Sequence, residues 1–234
     1  MIGRHDHMHA FRLRARMSRN AGRWDDVRSV TVTAEPQARP AADSCIPGGV
    51  ARLGAVNTED LVAQVHDLLT RVPRPPDEAA AGGADDAEIA DLARRLALTL
   101  PPPLVAWLRV CRGDVIGPGG VFGARADRPP IDMEHRRSYH PGFIDRGWLP
   151  VAGDGCGNTY VLITHGPLDG RVAFIETTTD PDRIDYLVAS DLWHFLRFLL
   201  ARETGERGWP FHAAFVQSID PHLTDPAGLL PWRT

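Results

Sequence analysis

The sequence contains no lysine, few cysteines and no long hydrophobic run. All 26 basic residues are arginines, which is typical, together with abundant alanine, glycine and proline, of a GC-rich bacterial coding sequence. Cys45, Cys111 and Cys156 are odd in number and show no paired spacing, which argues against a disulfide framework and a zinc site. No apolar run approaches the roughly 20 residues that a membrane span needs, and no secretory signal is recognisable. We therefore expect a cytoplasmic protein without cofactor or membrane partner.

The formal charge is −4 at pH 7, and it is unevenly distributed along the 234 residues. Residues 1–50 hold 8 arginines against 5 acidic residues, whereas residues 85–207 hold 14 arginines against 18 acidic residues. Because binding to phosphates needs clustered positive charge, the acidic balance of the second segment gives nucleic-acid binding little support. We expect no nucleic-acid partner.

Changes of pattern along the chain predict one folded domain with extensions. Residues 1–50 show no sustained period and indicate a flexible or mis-annotated N-terminal extension. Residues 51–84 predict an amphipathic helix followed by a linker of proline, glycine and alanine. Residues 85–207 form the predicted domain, and the apolar residues within 208–234 predict a tail that packs back on it.

Helical periodicity predicts helices over about 57–71, 86–96, 101–113 and 190–205. The first two helices are predicted to start at the caps Asn57 or Thr58 and Asp85 or Asp86. Gly113 is predicted to end the third helix, and the fourth is predicted to start at Ser190 and end at Gly205. Polar residues 127–146 are interpreted as a long excursion. Short apolar runs predict strands near Val121–Phe122, Trp148–Ala152, Thr159–Thr164, Arg171–Ile175 and Tyr186–Val188. The class is therefore α+β, a mainly antiparallel twisted sheet flanked by an N-terminal helical hairpin and a C-terminal helix. The tryptophans within apolar patterns are expected in the core: Trp107, Trp148 and Trp193.

The stretch GWLPVAGDGCGNTYVLIT places three glycines, Gly153, Gly155 and Gly157, between two apolar runs. A phosphate-binding loop would require a helix after the glycines, whereas a strand pattern follows Asn158. Glycine and asparagine tolerate positive φ, so the stretch predicts a tight structural turn between two strands.

Cys156 lies in this turn and could act as a nucleophile or serve as a small turn residue. Nucleophilic catalysis requires a neighbouring base that activates the thiol. The unplaced candidates for that base are His135, His140, His165 and His194. Because no catalytic motif surrounds Cys156, we favour the structural interpretation and expect no catalytic residue.

Two other motifs have ligand-like spacing but lack the context of a metal site. The first is HDHMH, with histidines at His5, His7 and His9. On a flexible terminus it could hold only an adventitious metal ion. The second is the set of acids Asp180, Asp182 and Asp185. It lacks the glycine and the closing glutamate of a calcium-binding loop. We expect a solvated loop there and no metal.

Three stretches together resemble the SUKH superfamily, which includes yeast cell-wall assembly regulators. EIADLARRLALTLPPPLVAWLRVCRG resembles its opening pair of helices, and WLPVAGDGCGNTYVLI resembles its Trp-Leu-Pro strand, Asp-Gly-x-Gly-Asn turn and apolar strand. GRVAFI and YLVASDLWHFLRFLL resemble the next strand and the closing helix. The resemblance covers about residues 85–202. It departs at Glu176–Thr179, where members often have an acidic or polar run of the Asp-His type.

The resemblance implies a noncatalytic α+β domain that binds a protein. In bacteria it implies an immunity protein that neutralises a toxin domain, often a nuclease; the alternative is a housekeeping regulatory scaffold. A hydrolase using Cys156 is a third hypothesis. The residues expected at the partner contact are Asp154, Asn158, Glu176, Asp182 and Asp185.

Overall fold

The computed structural model describes residues 57–76, 78–224 and 228–232. Residues 1–50, including Cys45 and the HDHMH motif, lie outside the described residues. Within the described part, seven α-helices and a four-stranded antiparallel sheet form an α+β fold, which confirms the predicted class.

The first helices begin where the sequence predicts. Helix α1, Thr58–Arg71, starts after Asn57, whose side chain accepts the Glu59 N–H. Helix α2, Asp86–Leu96, starts with a capping box in which Asp85 accepts the Glu88 N–H at 2.8 Å and Glu88 accepts the Asp85 N–H at 3.0 Å. These reciprocal bonds satisfy backbone donors that have no partner inside the helix. Helix α3, Pro102–Leu108, has proline in its first turn, where no N–H is needed.

The described residues of the linker between α1 and α2 form no helix or strand, but they are bonded to the domain at several points. Arg74 donates to Asp114 at 2.9 Å, and Arg128 pairs with Glu78. The backbone carbonyl oxygen of Gly82 accepts the Arg112 N–H at 2.9 Å. Helix α1 itself packs on the last long helix of the domain through Leu61, Val65 and Leu68.

The sheet is a meander in which each strand pairs with the next along the chain. Strand β1 is Trp148–Gly153, β2 is Thr159–Ile163, β3 is Val172–Ile175 and β4 is Tyr186–Ala189. All three pairings are antiparallel. The two hairpin connections β1–β2 and β3–β4 therefore leave the sheet at the same end.

Short helices cover one face of the sheet. They lie within residues 127–146, which the sequence predicted to be a polar excursion. A 3-10 turn at Pro129–Ile131 leads into α4, Met133–Ser138, and α5, Gly142–Asp145. Both helices contact β1, and Phe143 packs edge-on against Trp148 with ring centroids 5.5 Å apart. Helices of six and four residues are too short to produce a readable 3.6-residue period, so the prediction of an excursion was wrong.

A long apolar helix and the chain after it cover the other face. Helix α6, Leu192–Glu203, packs Phe195 against Tyr160 of β2, with ring centroids 5.2 Å apart. Trp209, from the chain after α6, stacks on Phe198 and donates its indole N–H to the Val188 carbonyl at 2.9 Å. Helix α7, Ala213–Ile219, follows. The tryptophans Trp107, Trp148 and Trp193 are buried.

Three local predictions were wrong. Helix α6 starts after Asp191, not Ser190, because the Asp191 carboxylate accepts the His194 N–H while Ser190 bonds to Asp220. Helix α3 ends at Leu108, so Gly113 is not its C′ residue. The pair Val121–Phe122 forms no strand; Val121 makes only isolated bridges, to Asp114 and Ala152. The Ser190–Asp220 bond spans 30 positions of the chain, and local spacing does not encode such a contact.

Candidate functional site

The candidate surface is the end of the sheet where the β1–β2 turn and the β3–β4 loop meet. The Thr177 hydroxyl donates to the Gly157 carbonyl at 2.5 Å, and the Thr178 hydroxyl lies 3.4 Å from the Asn158 Oδ1. These contacts join residues that are 20 positions apart in the chain. All five residues expected at a partner contact belong to these two connections.

The Asp154 carboxylate shapes the β1–β2 turn from within. Its Oδ1 accepts the backbone N–H groups of Cys156 at 2.7 Å and Asn158 at 3.0 Å, and its Oδ2 accepts the Asn158 side-chain amide at 2.7 Å. Gly155 and Gly157 have φ of 85° and 103°, in the region that favours glycine. The polar atoms of Asp154 are thus engaged in hydrogen bonds within the turn, two of them to Asn158. These bonds give both residues a structural role in the turn.

Gly153 differs from the other two glycines of the motif. It is the last residue of β1 and is buried, and a Cβ there would lie 2.9 Å from the Gly119 carbonyl oxygen. Its place is therefore set by close backbone packing against the segment that runs beside β1.

The three acidic residues of the β3–β4 loop that are expected at the partner contact lie in different surroundings. Asp185 faces inward, where its carboxylate accepts the Glu176 N–H at 2.6 Å and the Arg183 guanidinium at 3.2 Å. Asp182 is exposed and lies 3.0 Å from the Arg146 guanidinium. The Glu176 side chain is exposed. Of the five expected contact residues, Glu176 and Asp182 are therefore the two that present a carboxylate to solvent.

A groove of about 360 Å³ separates α4 from the β1–β2 turn. Its lining residues are Arg136, Tyr139, His140, Gly157 and Thr159. Burial and the charge of Arg136 together lower the pKa of His140 below its ordinary value of 6.5, although Asp182 opposes them. Sequence reasoning missed Arg136 and Tyr139 because Arg136 lies on α4, which had no readable period, and Tyr139 directly follows this helix.

The histidines named as bases for Cys156 have other partners where the structure shows their bonding. His194 Nδ1 lies 2.7 Å from Asp191, His135 Nε2 lies 3.0 Å from the Tyr139 hydroxyl, and His140 stacks on Phe143. In the described ranges, no histidine hydrogen-bonds to Cys156. Cys156 is exposed, whereas Cys111 is buried, and burial raises the pKa of the Cys111 thiol to about 12.

Two further classes of site were sought in the described part of the chain. No group of three or more His, Cys, Asp or Glu side chains is arranged there to hold a metal ion. None of the helices described there is long and apolar enough to cross a membrane.

The architecture is that of an α+β domain in which an antiparallel meander lies between α6 and the short helices α4 and α5, with its loops exposed at one end. Residues 83–197 match the model of the SMI1/KNR4 family (SUKH-1). This match covers just under half of the 234 residues and confirms the resemblance drawn from the sequence for that domain. A search of curated proteins found no match.

Proposed function

We propose that this protein is a noncatalytic binding protein that acts as an immunity protein, neutralising a bacterial toxin domain by covering part of its surface. The SUKH-1 match over residues 83–197 carries this proposal, because bacterial proteins that resemble the superfamily are mostly immunity proteins. Binding to a protein is the broader role that the family suggests, and toxin neutralisation is the specific form proposed here.

The exposed acidic side chains of the β3–β4 loop support a basic partner such as a nuclease domain. Glu176 and Asp182 lie beside Asp180, which is also exposed. Opposite charge on two partners raises their association rate and orients the encounter. We therefore place the contact at this loop, with Glu176, Asp180 and Asp182 as its exposed acids.

The position of Cys156 supports a noncatalytic role. A thiol nucleophile needs a base within hydrogen-bond reach, and that base needs an orienting group. His194, whose ring is bonded to the carboxylate of Asp191, is buried on α6. Alkylation of Cys156 at the rate of a free peptide thiol is the expected result, and a markedly faster, pH-dependent rate would favour the hydrolase.

The first experiment identifies the partner. The full chain, tagged, is expressed in the organism that produces it, and the proteins that co-purify at mild salt are identified by mass spectrometry. A near-stoichiometric C-terminal domain of a large secreted protein is expected, and co-expression of the full chain should rescue cells from that domain's toxicity. A stable partner in cell-wall assembly or signalling would replace the immunity proposal with the scaffold alternative.

The second experiment tests the contact face. Glu176→Arg and Asp182→Arg should each weaken binding to the partner about tenfold, mainly through slower association, because each replaces an attractive charge by a repulsive one. The matched control is Asp169→Arg, an exposed acid in the β2–β3 connection at the opposite end of the sheet. Equal affinities for all four proteins would exclude this face.

A further inference from the structure

The groove between α4 and the β1–β2 turn contains an arginine without an acidic partner. Across the described residues, the guanidinium groups of Arg136 and Arg207 make neither a hydrogen bond nor an ion pair, whereas every other arginine makes at least one. Arg207 is exposed after α6, but Arg136 lines the groove. An arginine placed in a concave site with its donors unused is suited to bind an acidic group.

The Arg136 guanidinium is nevertheless held in place. Its Cζ lies 4.7 Å from the centre of the Phe122 ring, and Phe122 is fully buried. Contact with the face of a ring uses none of the five N–H donors of a guanidinium. Phe122 therefore limits the motion of the side chain without satisfying its hydrogen-bonding capacity, which lowers the entropy cost of binding a carboxylate.

An exposed aromatic side chain forms the wall of the groove next to Arg136. Tyr139 has 59% of its surface exposed, yet its hydroxyl lies 3.0 Å from the His135 Nε2 and its ring packs edge-on against His135. Tyrosine and arginine, together with tryptophan, are the residue types enriched among those that dominate binding energy at protein interfaces. A fixed tyrosine beside an unpaired arginine is thus the composition expected of a peptide-binding groove.

The remaining charged groups near the groove already have partners. Asp182 pairs with Arg146, and the Asp154 carboxylate is bonded within its turn. His140 has a pKa lowered by burial and by Arg136, so it is mostly uncharged near pH 7. Among the residues that line the groove, Arg136 is therefore the one that carries a full charge near pH 7, and that charge is positive, in contrast to the acidic β3–β4 loop.

We propose that this groove binds an acidic segment of a protein partner, with an Asp or Glu carboxylate on Arg136 and the adjoining side chain packed on Tyr139. The inference rests on the proposed function only in requiring a protein partner, and it assigns that partner a second, acidic contact besides the basic surface facing Glu176. It can be tested without knowing the partner.

The test selects short random peptides displayed on phage against the purified full chain. Peptides enriched in Asp or Glu are expected, and a synthetic copy should bind about tenfold or more weakly to Arg136→Gln, because a charge-assisted hydrogen bond is lost. Arg207→Gln, which removes the other unpaired arginine, should leave affinity unchanged. Tyr139→Ala should also weaken binding, whereas Phe211→Ala, at a residue 62% exposed elsewhere, should not.

Several outcomes would overturn the inference. These are the absence of enriched peptides, enrichment of basic or uncharged peptides, and equal losses in Arg136→Gln and Arg207→Gln. Arg136-dependent binding of a single-stranded oligonucleotide in place of acidic peptides would assign the groove to phosphate instead. If Arg136→Gln does not fold, Arg136→Lys replaces it and should give a smaller loss, since lysine keeps the charge but not the planar fork. Failure here leaves the rescue experiment unaffected, so the two proposals can fail separately.

Discussion

The two faces of the sheet are covered in different ways. On the α6 face, aromatic rings from the sheet, the helix and the following chain pack together, as Tyr160, Phe195 and Trp209 do. On the α4 face, a buried carboxylate, Asp132, accepts both terminal nitrogens of Arg95 at 2.8 and 2.9 Å. Apolar packing needs only volume and shape, whereas a buried ion pair also needs every partner present. On the first face, neighbouring side chains can repack to offset a substitution. On the second face, removal of one partner leaves the other unsatisfied.

The largest expected effect comes from opening a cavity on the α6 face. Phe195 is fully buried, so Phe195→Ala should lower the free energy of unfolding by about 3–5 kcal/mol through lost burial and the cavity left behind. Urea unfolding followed by tryptophan fluorescence measures it. Phe195→Leu, which retains most of the volume, should cost much less, and equal costs would show that this face is loosely packed.

Removing the buried carboxylate on the α4 face should cost somewhat less. Asp132 also accepts the backbone N–H groups of Arg125 at 3.1 Å and His135 at 2.9 Å, so Asp132→Ala leaves several buried donors unsatisfied. We expect a loss of about 3 kcal/mol, at the lower end for a broken buried pair because Arg95 keeps its bond to Asp91.

The control for this substitution is an exposed acid that also pairs with an arginine. Asp127 is 62% exposed and bonds to Arg125. Asp127→Ala should cost no more than about 1 kcal/mol, since exposed pairs contribute little. Both variants are compared by urea unfolding, and similar losses would mean that the Asp132 site is not special.

A smaller effect is expected at the turn that joins β1 and β2. Asp154→Ala removes the acceptor of three hydrogen bonds in a partly exposed turn, and we expect a loss of about 1–2 kcal/mol. Asp154→Asn should retain part of this stability. Thermal unfolding of both variants is compared with that of Asp169→Ala, which removes an acidic residue from the β2–β3 connection. This comparison separates the loss of the turn's hydrogen bonds from the general effect of removing one negative charge.

The smallest effect is a pH dependence at the start of α6. Burial alone disfavours a charged imidazole, but the hydrogen bond to Asp191 and the charge of Asp220 outweigh it, so the pKa of His194 is raised above 6.5. A raised pKa means that protonated His194 stabilises the fold below its unfolded pKa and that this stability is lost as pH rises through the folded pKa. The free energy of unfolding of the wild type should therefore fall as pH rises from the unfolded pKa of His194 through its folded pKa. It should change less over the same pH range in His194→Gln. The same slope in both proteins would contradict this assignment.

The sequence predicted the α6 face far better than the α4 face. Helix α6 has a long apolar pattern and the strands have β-branched runs, so periodicity located both. The α4 face depends on Asp132, which meets Arg95 across 37 positions of the chain, and no local pattern marks such a pair. The candidate site shows the same division: the sequence located the turn at Asp154 but not the groove that Arg136 and Tyr139 line.

By itself, the sequence determined the α+β class, the order of the main helices and strands, the glycine turn between β1 and β2, and the family resemblance, because these depend on local spacing and residue type. The tertiary structure alone decided which carboxylates point inward, as Asp154 and Asp185 do, and which face solvent, as Glu176 does. It also decided that Arg136 lies in a groove without an acidic partner. These are properties of distance and burial, which arise only when segments far apart in the chain meet.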